Sequence, residues 1–156
     1  MPMTLDGPLA DRSRWQPTRC SIAKAMDVVG TRSAILLLRE AFYGTTRFDD
    51  FASRVGITEA VAANRLKALH GIGVFEKRPY REPGQRTRYE YVLTEMGRDL
   101  LPAVVNLMQW GDKYLQDDDG PLRLVDDGTG SSVRVRISNE AGREVSLEDL
   151  HVHVNR

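Results

Sequence analysis

Cysteine occurs once in this sequence, at Cys20. A single thiol closes no intrachain disulfide and furnishes no cysteine-rich zinc site, so disulfide scaffolds and zinc fingers are excluded and a reducing, cytoplasmic setting is expected. Long hydrophobic runs are lacking as well. The longest unbroken apolar stretch, Ala34 to Leu38, falls far short of the roughly 18 residues a membrane span needs. Met1 to Gln16 carries no apolar segment of the signal-peptide kind, so no membrane partner is expected. Neither sign of charge prevails, with 22 Lys and Arg against 22 Asp and Glu. Catalytic signatures are also missing: without a Ser-His-Asp pattern, a phosphate loop or a dinucleotide fingerprint, no catalytic residue and no cofactor are assigned. What is there is a chain of 156 residues, 41% of them hydrophobic. That suffices for one domain whose core needs no metal or disulfide.

The neutral total conceals a gradient. Residues 1–116 hold 17 basic and 13 acidic side chains, a net +4, and residues 117–156 hold 5 and 9, a net −4. Between Arg54 and Arg88 eight basic residues face three acidic ones. Local excess of this kind is the footprint of polyanion binding, although a solvated basic face leaves the same trace.

Residues 1–16 mix Pro, Gly, Asp and Arg without periodicity and are expected to form a flexible arm. Helical spacing starts at Ile22, Ala25, Met26 and Val29 and stops at Gly30. Thr31 caps a second helix through Ile35, Leu36, Leu38, Ala41 and Phe42. Thr45 or Thr46 is placed to cap a third helix, Phe48 to Val55, which Gly56 ends. Thr58 opens a fourth, closed by Gly71 and Gly73. The period then changes to two: Val74 to Arg81 and Arg86 to Leu93 flank the Pro83-Gly84 turn signal, which predicts a hairpin. Thr94 restarts a helix. From Leu100 to Leu115 there are two apolar seams, Leu100, Val104, Leu107 and Tyr114 beside Leu101, Val105, Met108 and Leu115; one suits the protomer's own core, and a second subunit suits the other. Pro102 is expected to kink this helix. Asp117 to Pro121 reads as an acidic linker. Beyond it come short alternating strands at Val133, Val135 and Ile137, a turn at Asn139 to Gly142, and a last strand from His151 to Val154. The domain reading is therefore an arm at 1–16, a domain of helices with a hairpin and a candidate dimerisation helix at 17–116, and an acidic linker with a small β-hairpin tail at 117–156.

Three helices, a helix opened by Thr58 and a basic hairpin describe a mainly α fold with a β-hairpin wing. This is a winged helix-turn-helix with a small C-terminal β-rich appendage. The helix from Thr58 begins with small residues, which let it enter a major groove roughly 12 Å wide. Its candidate DNA contacts are Thr58, Glu59, Ala60, Ala63, Asn64, Arg65 and Lys67. Asn64 has the amide that pairs with adenine, and Arg65 and Lys67 reach guanine or phosphate, with an internal salt bridge as the alternative for Arg65. In the hairpin, Arg81, Gln85, Arg86 and Arg88 are candidates for the phosphate backbone or a narrow minor groove.

Six segments in order, Cys20 to Gly30 (CSIAKAMDVVG), Leu36 to Glu40 (LLLRE), Arg47 to Phe51 (RFDDF), Arg65 to Leu69 (RLKAL), Phe75 to Glu82 (FEKRPYRE) and Tyr89 to Pro102 (YEYVLTEMGRDLLP), together resemble the HxlR-type family of bacterial transcription regulators. The resemblance spans about residues 18–116. It implies a dimeric DNA-binding regulator of MarR-like architecture; a twofold dimer calls for a pseudo-palindromic double-stranded operator as partner, and a repressor is the expected role, with an activator as the alternative. It places Ile22, Met26, Leu101, Val105, Met108 and Leu115 at the dimer interface. Family members that end in a cysteine-bearing ribbon differ from this chain, whose corresponding places, Asp127-Gly128 and Ser138 to Gly142, carry no thiol.

Cys20 precedes the first helix, where the helix dipole and the neighbouring Arg19 and Lys24 favour a thiolate. The resemblance makes it a candidate redox sensor, and an oxidant or another small molecule a candidate effector; a buried, inert thiol is the alternative. His151 and His153 share a strand face but have no third ligand nearby in sequence, so no metal is assigned. Two other functions remain in play at this level: a dimeric adaptor that no longer binds DNA, and a thiol enzyme built on Cys20.

Overall fold

In the computed structural model, which describes residues 1–155, the helical periodicities become a three-helix core with a hairpin at its edge. The elements in order are β1 (Thr4–Leu5), α1 (Ser21–Val29), α2 (Arg32–Phe42), α3 (Phe48–Val55), α4 (Glu59–Gly71), β2 (Phe75–Tyr80), β3 (Arg88–Leu93), α5 (Glu95–Arg98), α6 (Leu101–Leu115) and β4 (His151–Val152). They fall into two units. Ser21–Leu124 is one; Met1–Cys20 and the chain from Val125 onward make the other.

In the helical unit α2 is central and packs on α1, α3, α4 and α6. Its Leu37 and Leu38 meet Phe51 and Val55 of α3, Leu66 and Leu69 of α4, and Val74 and Phe75 at the start of the hairpin. Burying each such side chain stabilises the fold by about 1.5–3 kcal/mol. Phe75 joins helices to wing, meeting Phe51 edge-on at 5.9 Å and Tyr91 at 6.2 Å. Glu40 is buried at the end of α2, where it accepts from Arg39 at 2.7 and 3.0 Å and from Thr45 at 3.4 Å. These partners offset the desolvation of its charge.

β2 and β3 pair antiparallel from Phe75 with Leu93 to Tyr80 with Arg88. Thr94 then binds the hairpin's first residues, its hydroxyl donating to the carbonyls of Gly73 and Val74, and caps α5 by accepting from Gly97 N. Gly97 is buried so tightly that a Cβ would collide with the Val74 carbonyl and Leu93.

Several sequence expectations change. Pro102 lies in the first turn of α6, where its missing N–H has no intrahelical partner to lose, so it begins the helix instead of kinking it. Arg47, and neither Thr45 nor Thr46, holds the N-cap position of α3, without a side-chain cap. Thr45 is committed to Glu40, and Thr46 donates to Glu90 of β3 at 2.8 Å.

In the second unit, residues 1–16 supply β1, which runs parallel to β4 with Thr4 opposite His151 and Leu5 opposite Val152. The expected strand at 133–137 is replaced by isolated bridges, Val125 to Ser132 and Ser138 to Glu144. Hydrogen bonding there goes into turns, in which Asp126 and Asn139 accept from the backbone of Gly128 and of Ala141 and Arg143.

Candidate nucleic-acid interface

Two local signals orient α4. Gly56 adopts the left-handed conformation (φ 74°) that closes α3, its N–H donating to Ala52 O at 3.0 Å. Thr58 then caps α4, accepting from Val61 N at 3.2 Å. Ala62, Leu66 and Leu69 recur at four- and three-residue spacing and are buried in the core. That rotation leaves Glu59, Ala60, Ala63, Asn64 and Lys67 exposed on the outside. Ala60 and Ala63 give this surface a low profile, so the helix backbone can approach base edges closely. Arg65 is intermediate: its Nε is buried without a hydrogen-bond partner. Among the described residues no carboxylate pairs with it, so the internal salt bridge is not formed.

The wing presents Arg81, Gln85, Arg86 and Arg88, all exposed. Arg81 Nε donates to the Gln85 carbonyl at 2.8 Å, which rigidifies the tip. Arg86 and Arg88 line a cleft of about 470 Å³ with Arg47, Phe48, Asp49, Asp50, Tyr80, Thr87 and Tyr89.

Arg47 is the residue that sequence reasoning missed here. Its guanidinium pairs with Glu82 at 2.9 Å and lies 4.2 Å over the Tyr80 ring. Its backbone bridges Glu90, and Thr46 O accepts from Tyr91 N at 2.7 Å. Residues 46 and 47 thus tie the start of α3 to β3 through an isolated bridge. The hydrogen bond to Glu82 raises the Arg47 pKa above the ordinary arginine range. No sequence signal ties residue 47 to residue 82, because their contact depends on the hairpin's register.

The expected dimer residues divide. Ile22 and Met26 on α1 are exposed, Ile22 by 75%. Leu101 and Leu115 are exposed and Met108 is half-buried, whereas Val105 is 7% exposed and belongs to the interior. The two seams of α6 do not separate inside from outside. Val104, Val105 and Met108 are buried or half-buried, with Leu100 just ahead of the helix, whereas Leu101 in the first turn and Leu107, Trp110, Tyr114 and Leu115 further along are exposed.

Cys20 is half-buried immediately before α1. His151 and His153 do find a third donor, Asp6, at 3.1 and 2.8 Å. Distance in sequence had hidden it. The net charges of +4 and −4 likewise do not follow the units. Ser21–Leu124 contains the acidic run Asp117–Asp119 and holds 15 basic against 14 acidic residues; the other unit holds 7 against 8. The basic excess is local to Arg54–Arg88.

The sequence profile described as HxlR-like helix-turn-helix matches residues 28–119. The chain is 39% identical over 132 residues to an HTH-type transcriptional regulator of Mycobacterium tuberculosis, covering 83% of this chain and 82% of the relative. It is 30% identical over 96 residues to the HTH-type transcriptional regulator YdeP of Bacillus subtilis, covering 61% and 73%. Among solved structures, PA1607 superposes with a TM-score of 0.75 at 33% identity, covering 90% of this chain and 96% of that one. The redox regulator HypR in its reduced form gives 0.55 at 27%, covering 61% and 93%. Transcriptional regulators of this kind are not enzymes, which removes the thiol-enzyme alternative. No helix among the described residues is long and apolar enough to cross a membrane. With α3, its glycine turn, the outward face of α4 and the wing in place, the chain belongs to the HxlR-like helix-turn-helix family and is a DNA-binding transcriptional regulator.

Proposed function

We propose that the protein acts as a homodimeric repressor that reads a pseudo-palindromic operator, with α4 in the major groove and the wing on the flanking backbone or minor groove. The observation that carries this is the outward surface of α4, Ala60, Ala63, Asn64 and Lys67, opposite its buried stripe and on a helix that packs against β2 of the arginine-bearing wing. Dimerisation is supported by apolar side chains left exposed on α1 and the second half of α6, since exposed apolar patches mark association sites. A twofold dimer requires half-sites about 34–36 Å apart or a multiple of that. With about four phosphates neutralised per protomer, log K falls against log salt with a slope near −7. Selection of bound DNA from a random pool, followed by a salt titration, tests this. A palindromic consensus with a steep slope is expected; no enriched sequence, or a slope near zero, sinks it and restores the adaptor reading.

A second reading concerns Cys20. The chain is similar to HypR, a redox regulator, and Cys20 is half-buried beside the exposed face of α1 in sequence. An intersubunit disulfide between two copies of Cys20, or capping by a small thiol, would couple oxidant to operator affinity. Loss of oxidant response in Cys20→Ser, measured on operator binding, is the expected outcome.

A further inference from the structure

We propose that Asp6, His151 and His153 form a binding site for a first-row divalent metal ion, with Zn²⁺ as the reference case. The site is built by the ladder that joins β1 to β4. Thr4 pairs with His151 and Leu5 with Val152 in parallel, so one residue further Asp6 comes alongside His153. Period two puts His151 and His153 on the same side of their extended segment. The result is convergence of three donors: Asp6 Oδ2 is 3.1 Å from His151 Nε2 and 2.8 Å from His153 Nδ1. One donor atom from each of the three residues lies within 4.8 Å of the others. A tetrahedral ion with bonds of about 2.0–2.1 Å holds its donors about 3.3 Å apart. The carboxylate oxygen needs to move by only a few tenths of an ångström, whereas the imidazoles, stacked 16° from parallel with centroids 4.2 Å apart, must rotate out of the stack so that the ion lies in the plane of each ring; their exposure leaves room for that rotation.

Chemistry narrows the ion. Two imidazoles and a carboxylate suit Zn²⁺ and its first-row neighbours, whereas Mg²⁺ and Ca²⁺ take oxygen donors. Three protein donors leave one tetrahedral position for water. Partial exposure of all three residues gives the ion a path in. Because Asp6 is separated from the histidines by nearly the whole chain, a bound ion would tie β1 to β4.

The test uses the full chain without an affinity tag, stripped with a chelator and titrated with Zn²⁺ by calorimetry. One ion per chain is expected, and Asp6→Ala and His153→Gln should each weaken binding about tenfold or more. Histidine side-chain resonances provide a second measurement: His151 and His153 should shift with Zn²⁺ while His70, bonded through its ring nitrogen to Phe75 O, stays in place. Asp118→Asn, in the acidic run, should leave binding unchanged. The proposal is overturned by no one-to-one binding at micromolar zinc, by full affinity in Asp6→Ala, or by equal response of all three histidines. Backbone resonances of Val125 to Val145, in the unit that carries the site but away from it in sequence, confirm in each variant that this unit remains folded.

Discussion

Removing the Arg47 side chain takes two contacts from the wing at once, the ion pair with Glu82 and the stacking on Tyr80, while leaving the backbone bridge to Glu90. Arg47→Ala should therefore lower operator affinity several-fold in fluorescence anisotropy, with little change in the unfolding midpoint, since exposed pairs add little stability. The raised Arg47 pKa sets the sign of its pH dependence. A cation stabilised by folding contributes fully below its unfolded pKa and is lost only as pH rises through the higher folded one. The arginine side of this contact should thus be flat through neutral pH. On α4, Asn64 and Lys67 should separate by mechanism. Lys67→Ala should weaken all sequences alike and reduce the salt slope by about 1, whereas Asn64→Ala should cost about 1–3 kcal/mol of discrimination at one base pair. Gly97→Ala forces a methyl group into the Val74 carbonyl and Leu93. Urea unfolding should report a loss of about 1–3 kcal/mol.

At the scale of elements, what the sequence reveals depends on how locally each element is determined. Gly56, Thr58 and the stripe Ala62, Leu66 and Leu69 lie within a few turns of one another, so α4 and its outward face were legible. Thr58→Ala should cost about 1 kcal/mol, with a denaturant titration as the check. Pro102 was misread because its effect depends on where the helix starts: within the first turn it needs no partner, and deeper it would break one. The seams of α6 misled for a related reason. Periodicity reports which residues share a side but not which turns of that side the core covers: Leu101 and Leu107 are exposed on either side of the buried Val105, and beyond the half-buried Met108 both seams lie exposed. Arg47 with Glu82 and Asp6 with His153 were out of reach altogether, since each pairing exists only once a strand register has been fixed.

For the whole molecule, association is the property most open to direct measurement. Leu107 and Trp110 are exposed near the middle of α6, and a charge there cannot be buried in an interface without a large desolvation cost. Leu107→Asp should shift the sedimentation coefficient to that of a monomer and roughly halve the salt slope of DNA binding, while the circular dichroism of the helices is retained. The chain's connectivity has a further effect. The helical unit is an insertion between the two segments of the other unit, because Thr4 pairs with His151 across nearly the entire sequence. During synthesis Ser21–Leu124 is complete while β4 has yet to be made, so the DNA-binding unit can fold first. The ladder cannot form before β4 has been made, whereas no helix of the DNA-binding unit has to wait for it.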